Sequence, residues 1–341
     1  MDQLDKEDID EDLPKSSQRK GDAEINTQSN EKSASNGEPG HFYTGKKPKW
    51  WKALSNRRGT KSQRAAISRM TEKGFVIPRI KYQHFINVSE LFASSPGSRQ
   101  LGEEITLKKE EIIHYGPNSN ISIVNLELGF GLGDNLLTNA MNFPDHNHIG
   151  AEIHRPGVGT VLSRIEKSVD SGQFWREQTL WNESEKDANG DISNHHDANK
   201  IFPYGNVRIF PGDGVKLLSH LPPISIDNIY LTFPDPWPEE SHSQWRVIQI
   251  EVVNLIGKVL KNGGCFYLAT DAVCFEEWCV SIFNKVIKLE MDQCGQEVWE
   301  EIVPCPNRKS WLPVISKYEE KGYHEGRSTM CHCWRRRHNN I

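Results

Sequence analysis

Ile121-Ser-Ile-Val-Asn-Leu-Glu127-Leu128-Gly129-Phe-Gly131-Leu-Gly133-Asp134 is the stretch that decides the fold. An apolar, β-branched run is closed by a turn with glycine at every second position, and a helical stretch then runs from Asp134 to Asn142. This is strand, loop, helix. Glycine lets bare backbone approach a ligand closely because it lacks a Cβ. The spacing separates two kinds of ligand. A dinucleotide-binding turn reads GxGxxG and seats a pyrophosphate on the helix N-terminus. Here the pattern is ExGxGxG, with Glu127 two residues before the first glycine. That carboxylate would repel a pyrophosphate but suits a cationic ammonium or sulfonium group.

Working outward, element types alternate almost to the end of the chain. His148 to Ile153 predicts a second strand, and Gly157 to Val169 a helix with Val158, Val161, Leu162 and Ile165 on one face. Further strands are expected at Asn206 to Phe210, Ile226 to Phe233 and Gly264 to Thr270. Helices are expected near Val215 to His220, Trp245 to Leu260 and Phe275 to Lys288. Such alternation implies an α/β, Rossmann-like, doubly wound and mainly parallel sheet covered on both faces. The last region, Val298 to Arg337, reads as two strand-like pieces joined by a Gly-rich turn, forming an antiparallel C-terminal edge.

Carboxylates recur where these strands end. Glu152 follows the glycine turn by about 20 residues, where an acid can accept hydrogen bonds from both hydroxyls of a ribose. Asp213, in PGDG, follows the third strand at a position suited to an adenine amino group. An acid after a strand is also a ready helix cap, so the set of three carries more than any one of them. The fourth strand ends in Phe233-Pro-Asp235-Pro-Trp237, in which two prolines fix the backbone around one carboxylate at the sheet edge where substrates react. A rigid proline turn capped by Asp235 is the plainer reading of that string.

The 341 residues carry 36% hydrophobic and 26% charged side chains at a mean hydropathy of −0.63, enough for a core with a substantial polar remainder. The net charge of −5 conceals strong segregation. Residues 1–45 are acidic and polar with few large apolar side chains, and are expected to be a disordered tail. Residues 46–117 are expected to form a basic arm and N-terminal extension; from Lys46 to Arg69 there are nine basic residues and no acid, with Trp50 and Trp51 among them. The α/β domain would then occupy residues 118–337, interrupted by a polar loop insertion at about 171–204. Seven cysteines, all from Cys265 onward and without framework spacing, read as reduced thiols. No run approaches a membrane span and no secretory signal opens the chain. A soluble cytoplasmic or nuclear protein without a membrane partner is expected. Cys331-His332-Cys333 has no second ligand pair, so no metal is expected.

ELGFGLG, IGAEIHRPGVG, FPDPW, ATD and SKYEEKG, in this order, resemble the tRNA (guanine-N7)-methyltransferase family, whose members carry EIGFGxG, IGxExHxPGVG, FPDPW, ATD and TKFExRG. RRGTKSQRAAI, residues 57–67, is similar to that family's RGxxTKxQxxAL. The resemblance covers about Arg57 to Arg337. It implies S-adenosyl-L-methionine as cofactor and methyl transfer to N7 of a guanine in the variable loop of tRNA. It further implies cofactor contacts from Glu127, Gly129, Gly131, Gly133, Glu152, Asp213 and Asp235, with Asp235 also the catalytic acid. Asp271, Ser316, Lys317, Tyr318 and Glu319 would line the guanine pocket. tRNA is the expected partner, and a non-catalytic protein subunit and the oligomeric state are left open.

The chain departs from the family after FPDPW, where a lysine two residues past the tryptophan is replaced by Glu239, followed by Glu240. Two carboxylates repel an RNA backbone, and each missing phosphate contact weakens binding in a salt-dependent way. Arg246 remains to meet phosphate in compensation, and the basic arm is the other expected phosphate contact. Two further readings stay open: a catalytically weak relative that binds RNA or a partner, and a methyltransferase whose acceptor is another RNA, a protein or a small molecule. A dinucleotide oxidoreductase is disfavoured by the glycine spacing.

Overall fold

The computed structural model describes residues 58–81, 84–93, 106–108, 123–170 and 204–337. The expected acidic tail, the part of the basic arm that carries Trp50 and Trp51, and nearly all of the polar insertion lie outside the described residues.

Ahead of the glycine turn come helix α1 (Lys61–Glu72), strand β1 (His84–Ile86), helix α2 (Val88–Phe92) and strand β2 (Thr106–Lys108). The deciding stretch forms β3 (Val124–Leu128) and α3 (Asp134–Asn142). There follow β4 (Asn147–Ala151), α4 (Arg155–Asp170), β5 (Val207–Phe210), α5 (Gly214–Leu218) and β6 (Ile226–Thr232). The chain continues through α6 (Ile250–Val259), β7 (Leu260–Thr270), α7 (Val273–Cys294), β8 (Trp299–Glu301), α8 (Lys317–His324) and β9 (Met330–Arg336).

The main sheet has seven strands in the order β5-β4-β3-β6-β7-β9-β8, and β1 pairs with β2 in a separate antiparallel ribbon. Strands β5, β4, β3, β6 and β7 are parallel neighbours, and β9 runs antiparallel to both β7 and β8. Order reverses between β3 and β6, so the crevice at their carboxyl ends is the topological switch point where open α/β sheets bind ligands. The α/β doubly wound sheet with an antiparallel edge is therefore as the sequence implied.

Two details of that expectation change. Between β8 and β9 lies no simple Gly-rich turn but a long excursion containing a short 3-10 turn, Arg308–Ser310, and helix α8. The pattern from Trp245 to Leu260 divides: Glu240–Trp245 is a 3-10 turn, and the α-helix begins only at Ile250.

Apolar side chains fill both faces of the sheet. On one face Leu126, Ile149, Ile229 and Phe266 pack with Val252 and Ile256 of α6 and Phe283 of α7, and Trp334 stacks on Phe283 at 4.0 Å between ring centres. On the other, Phe130, Leu136, Val161, Leu162 and Ile209 form a cluster that also takes in Met70 and Phe75. Burying each such side chain contributes on the order of 1.5–3 kcal/mol.

Helix α1 thus belongs to the packed structure. Thr60 opens it with a capping box closed by Gln63, whose side-chain amide reaches Pro156 O at 3.2 Å and Thr160 Oγ1 at 3.1 Å on α4. Arg69 grips Glu166 of α4 through two bonds of 2.6 and 2.7 Å. Farther along, the backbone of Phe75 and Ile77 bonds to both sides of Ile209 in β5 at 2.9 and 2.8 Å.

Candidate functional site

The glycine turn is built from residues only glycine suits. Gly129, Gly131 and Gly133 have φ of 73°, 58° and 76°, the left-handed region that side chains with a Cβ disfavour. The three serve different ends. A Cβ on Gly129 or Gly131 would meet nothing within 4 Å, so these two face open space at the sheet edge. A Cβ on Gly133 would strike Val161, so this glycine lets α3 and α4 come together. The carbonyl of Gly131 likewise leaves no room for a side chain at Gly157.

Glu127 lies in β3 opposite Gly150 of β4 and Tyr230 of β6. It is 2% exposed, and its Oε2 accepts one hydrogen bond, 3.2 Å, from the Asn135 amide of α3. Burial pushes its carboxyl up to about 8, against the opposing pull of Asn135, with Glu152 and Asp134 raising it further. Glu152, just past β4, accepts the amide of Gly131 at 2.8 Å and that of His154 at 2.6 Å. Burial again raises its carboxyl, with those two amides opposing. Asp213 caps α5 by accepting from Val215 N at 3.0 Å, so the helix-cap reading is realised for it.

The loop after β6 is held under strain. Phe233 and Trp237 both adopt positive φ, 48° and 47°, on either side of Pro234-Asp235-Pro236. Asp235 is exposed, and partial desolvation by the surrounding protein raises its carboxyl. Arg246, expected to meet phosphate, is bound to the loop itself. It is 3% exposed, donates to Pro236 O at 3.2 Å and to Trp237 O at 3.2 and 3.0 Å, and lies over the Trp278 ring at 4.9 Å. A guanidinium buried in this way clamps the loop. Glu239 and Glu240 remain in solvent, 69% and 83% exposed, with Glu239 3.3 Å from His242.

Beyond β7, Asp271 accepts from Arg327 Nε at 2.8 Å and abuts Gly322 of α8. Ser316 caps α8 by accepting from Glu319 N at 3.1 Å, and Lys317 and Tyr318 on its first turn are exposed. Glu319, expected to line the pocket, is bonded within the protein. Its carboxylate is 0% exposed and takes bonds from Arg308, from Tyr323 Oη at 2.7 Å and from Thr329 Oγ1 at 2.9 Å. Held by all of these donors, it is the knot that ties α8 to its neighbours.

Motif and spacing do not mark Asn135, Asn139 or Arg308 as site residues. Asn135 and Asn139 stand four apart on a helix face otherwise made of Leu136, Leu137 and Ala140, and two buried amides on such a face are a signal in themselves. Arg308 carries no such signal, because its partner Glu319 is fixed by tertiary contact.

The chemistry of these parts fits S-adenosyl-L-methionine: an open glycine turn, a buried carboxyl at Glu127, and further acids at the next strand ends. Acids at the carboxyl ends of β5, β4, β3 and β6, beside the switch point, are consistent with a methyltransferase that draws its methyl group from S-adenosyl-L-methionine. The model of the family described as "Putative methyltransferase" matches residues 122–332. A tRNA (guanine-N(7)-)-methyltransferase of Yersinia pseudotuberculosis is 34% identical over 60% of this chain and 68% of its own length. Those of Corynebacterium diphtheriae and Alkalilimnicola ehrlichii are 31% and 29% identical over 62% of this chain, and the match spans 66% and 72% of their lengths. The chain belongs to the tRNA (guanine-N(7)-)-methyltransferase family.

Proposed function

We propose that the protein transfers a methyl group from S-adenosyl-L-methionine to N7 of a guanine in tRNA. The observation that supports this most is the convergence of Glu127, Glu152, Asp213 and Asp235 at the carboxyl ends of four adjacent parallel strands, around the open turn at Gly129 and Gly131. Glu127 would take the donor's ammonium, Glu152 the ribose hydroxyls and Asp213 the adenine. When bound, the donor supplies an electrophilic methyl on a sulfonium.

Guanine N7 carries a lone pair and no proton, so attack in line with the sulfur needs no general base. Asp235 instead stabilises the positive charge that develops on the purine, and the strained loop holds it in position beforehand. Asp271, Ser316, Lys317 and Tyr318 would border the base. We assign the catalytic domain to residues 118–337 and phosphate contacts to the arm and extension at 46–117. A non-catalytic subunit is compatible with this reading, as is a cytoplasmic or nuclear setting. Among the described residues no helix is long and apolar enough to cross a membrane.

The test is transfer of labelled methyl to total tRNA, with the modified nucleoside identified by mass spectrometry. N7-methylguanosine forms with the native chain and falls by about two orders of magnitude or more with Asp235→Ala. Donor binding without transfer to tRNA would instead favour another acceptor, the reading that the exposed Glu239 and Glu240 support.

A further inference from the structure

We infer that Asn139, together with the turn from Arg308 to Leu312, is a positioning link that couples the donor pocket at Glu127 to the acceptor-side helix α8. The assignment of the two pockets rests on the proposed function; the link itself rests on a run of hydrogen bonds that is buried from Glu127 to Trp311 and part-buried at Arg308.

Asn135 and Asn139 are one helical turn apart and 5% and 3% exposed. The Asn139 amide nitrogen donates to Asn135 Oδ1 at 3.2 Å and to the carbonyl of Trp311 at 2.9 Å. Both its hydrogens are committed, while its own Oδ1 is buried without a partner among the described residues. Turning the amide over would set an oxygen against two acceptors, so its orientation is determined. That decides the orientation of Asn135 in turn. With its oxygen occupied by Asn139, Asn135 must present its nitrogen to Glu127.

A donor facing Glu127 favours the ionised carboxylate, the form that meets a cation. Without Asn139, the Asn135 amide is free to turn and offer its oxygen, which stabilises the protonated acid. The other groups bearing on Glu127 are Glu152 beyond β4, Asp134 at the start of α3 and Tyr230 on β6. None of them supplies a cation, so the amide from Asn135 is the main support for the charged form.

The far end of the link is equally well tied. The amides of Trp311 and Leu312 both donate to the carbonyl of Arg308, at 3.1 and 2.7 Å, and the Trp311 ring stacks on Tyr230 at 6.2 Å. Arg308 in turn holds Glu319 and the carbonyl of Val314. A shift of α8 on acceptor binding therefore moves the carbonyl that orients Asn139. By linkage, each pocket's occupancy then alters affinity at the other by the same factor.

The experiment is calorimetric binding of S-adenosylhomocysteine between about pH 6 and 9, a range spanning the ordinary histidine to cysteine values, with and without tRNA, to the full chain and to Asn139→Leu and Arg308→Met. Asn139→Leu is expected to bind about tenfold more weakly near neutrality and to recover at high pH. tRNA should strengthen binding to the native chain by about fivefold or more, and this factor should fall to one in either variant. The double variant should show no further loss in that factor. Arg308→Met leaves the buried amides intact, so it tests the link even if Asn139→Leu does not fold. A native pH profile in Asn139→Leu, retained coupling in Arg308→Met, or no coupling in the native chain overturns the inference. A native chain that binds S-adenosylhomocysteine but never methylates tRNA overturns the proposed function instead, and the pH profile of Asn139→Leu still decides the donor half of the link.

Discussion

Glu152 accepts the backbone amide of Gly131 at 2.8 Å, so the acid proposed to meet a ribose also holds the glycine turn. Glu152→Gln keeps the shape but loses the charge, and its NH2 replaces one of the two oxygens that each accept a backbone amide. Donor affinity should drop by one to two orders of magnitude with a modest loss of stability, about 1–2 kcal/mol. Equilibrium binding and thermal melting read the two effects separately; unchanged affinity would remove Glu152 from the donor site.

Glu127 should make both donor binding and stability depend on pH. Its carboxyl is raised to about 8 by burial, so the ligand-free folded protein retains a proton that the unfolded chain has already lost above the ordinary carboxylate range. The stability this contributes is complete at low pH and is lost as pH rises towards about 8. Donor affinity runs the opposite way, rising up to about pH 8 because a cation requires the carboxylate. Glu127→Gln should flatten both slopes. Melting curves and calorimetry in buffers of different ionisation enthalpy provide the check, and persistence of the slopes in the variant would place their origin elsewhere.

Arg246 holds the loop that presents Asp235, through the carbonyls of Pro236 and Trp237. Arg246→Met should therefore lower kcat by roughly 10²-fold, as misplacement of a reacting group does, and should leave the salt dependence of RNA binding unchanged. A phosphate-contacting arginine would behave differently, its loss lowering the slope of log affinity against log salt by about one. A slope that changes while kcat is kept would return Arg246 to the RNA surface.

Glu239 is exposed, with His242 beside it at 3.3 Å, so Glu239→Lys should be well tolerated by the fold. Tighter tRNA binding and a salt slope steeper by about one are expected. No gain would mean that the RNA backbone does not pass this edge of the sheet.

Arg69 and Glu166 tie α1 to α4 across a partly exposed surface, with Glu166 largely covered and its carboxyl held low by the guanidinium. Arg69→Ala should cost roughly 1 kcal/mol, given that solvent screens part of the pair. Chemical denaturation measures this, and an effect within error would show that Met70 and Gln63 carry the docking unaided.

The order of strands and helices, the glycine turn and the acids at the strand ends were legible in the sequence because short-range physics sets them. Alternation places side chains on one face, glycine permits left-handed backbone, and a strand followed by a helix must cross over on one hand. Helix α8 escaped that reading because it is short and nearly all polar, with only Glu319 and Gly322 buried. The contacts that Arg246 and Glu319 make were decided by tertiary structure alone. Each carries a charge that local pattern assigns to solvent or substrate, yet each is buried against groups that folding supplies: Trp278 for Arg246, Arg308 for Glu319. The same holds for Asn139, whose acceptor at Trp311 lies 172 residues away. A buried polar group must find its partner wherever the chain returns, and no spacing within a motif encodes that distance.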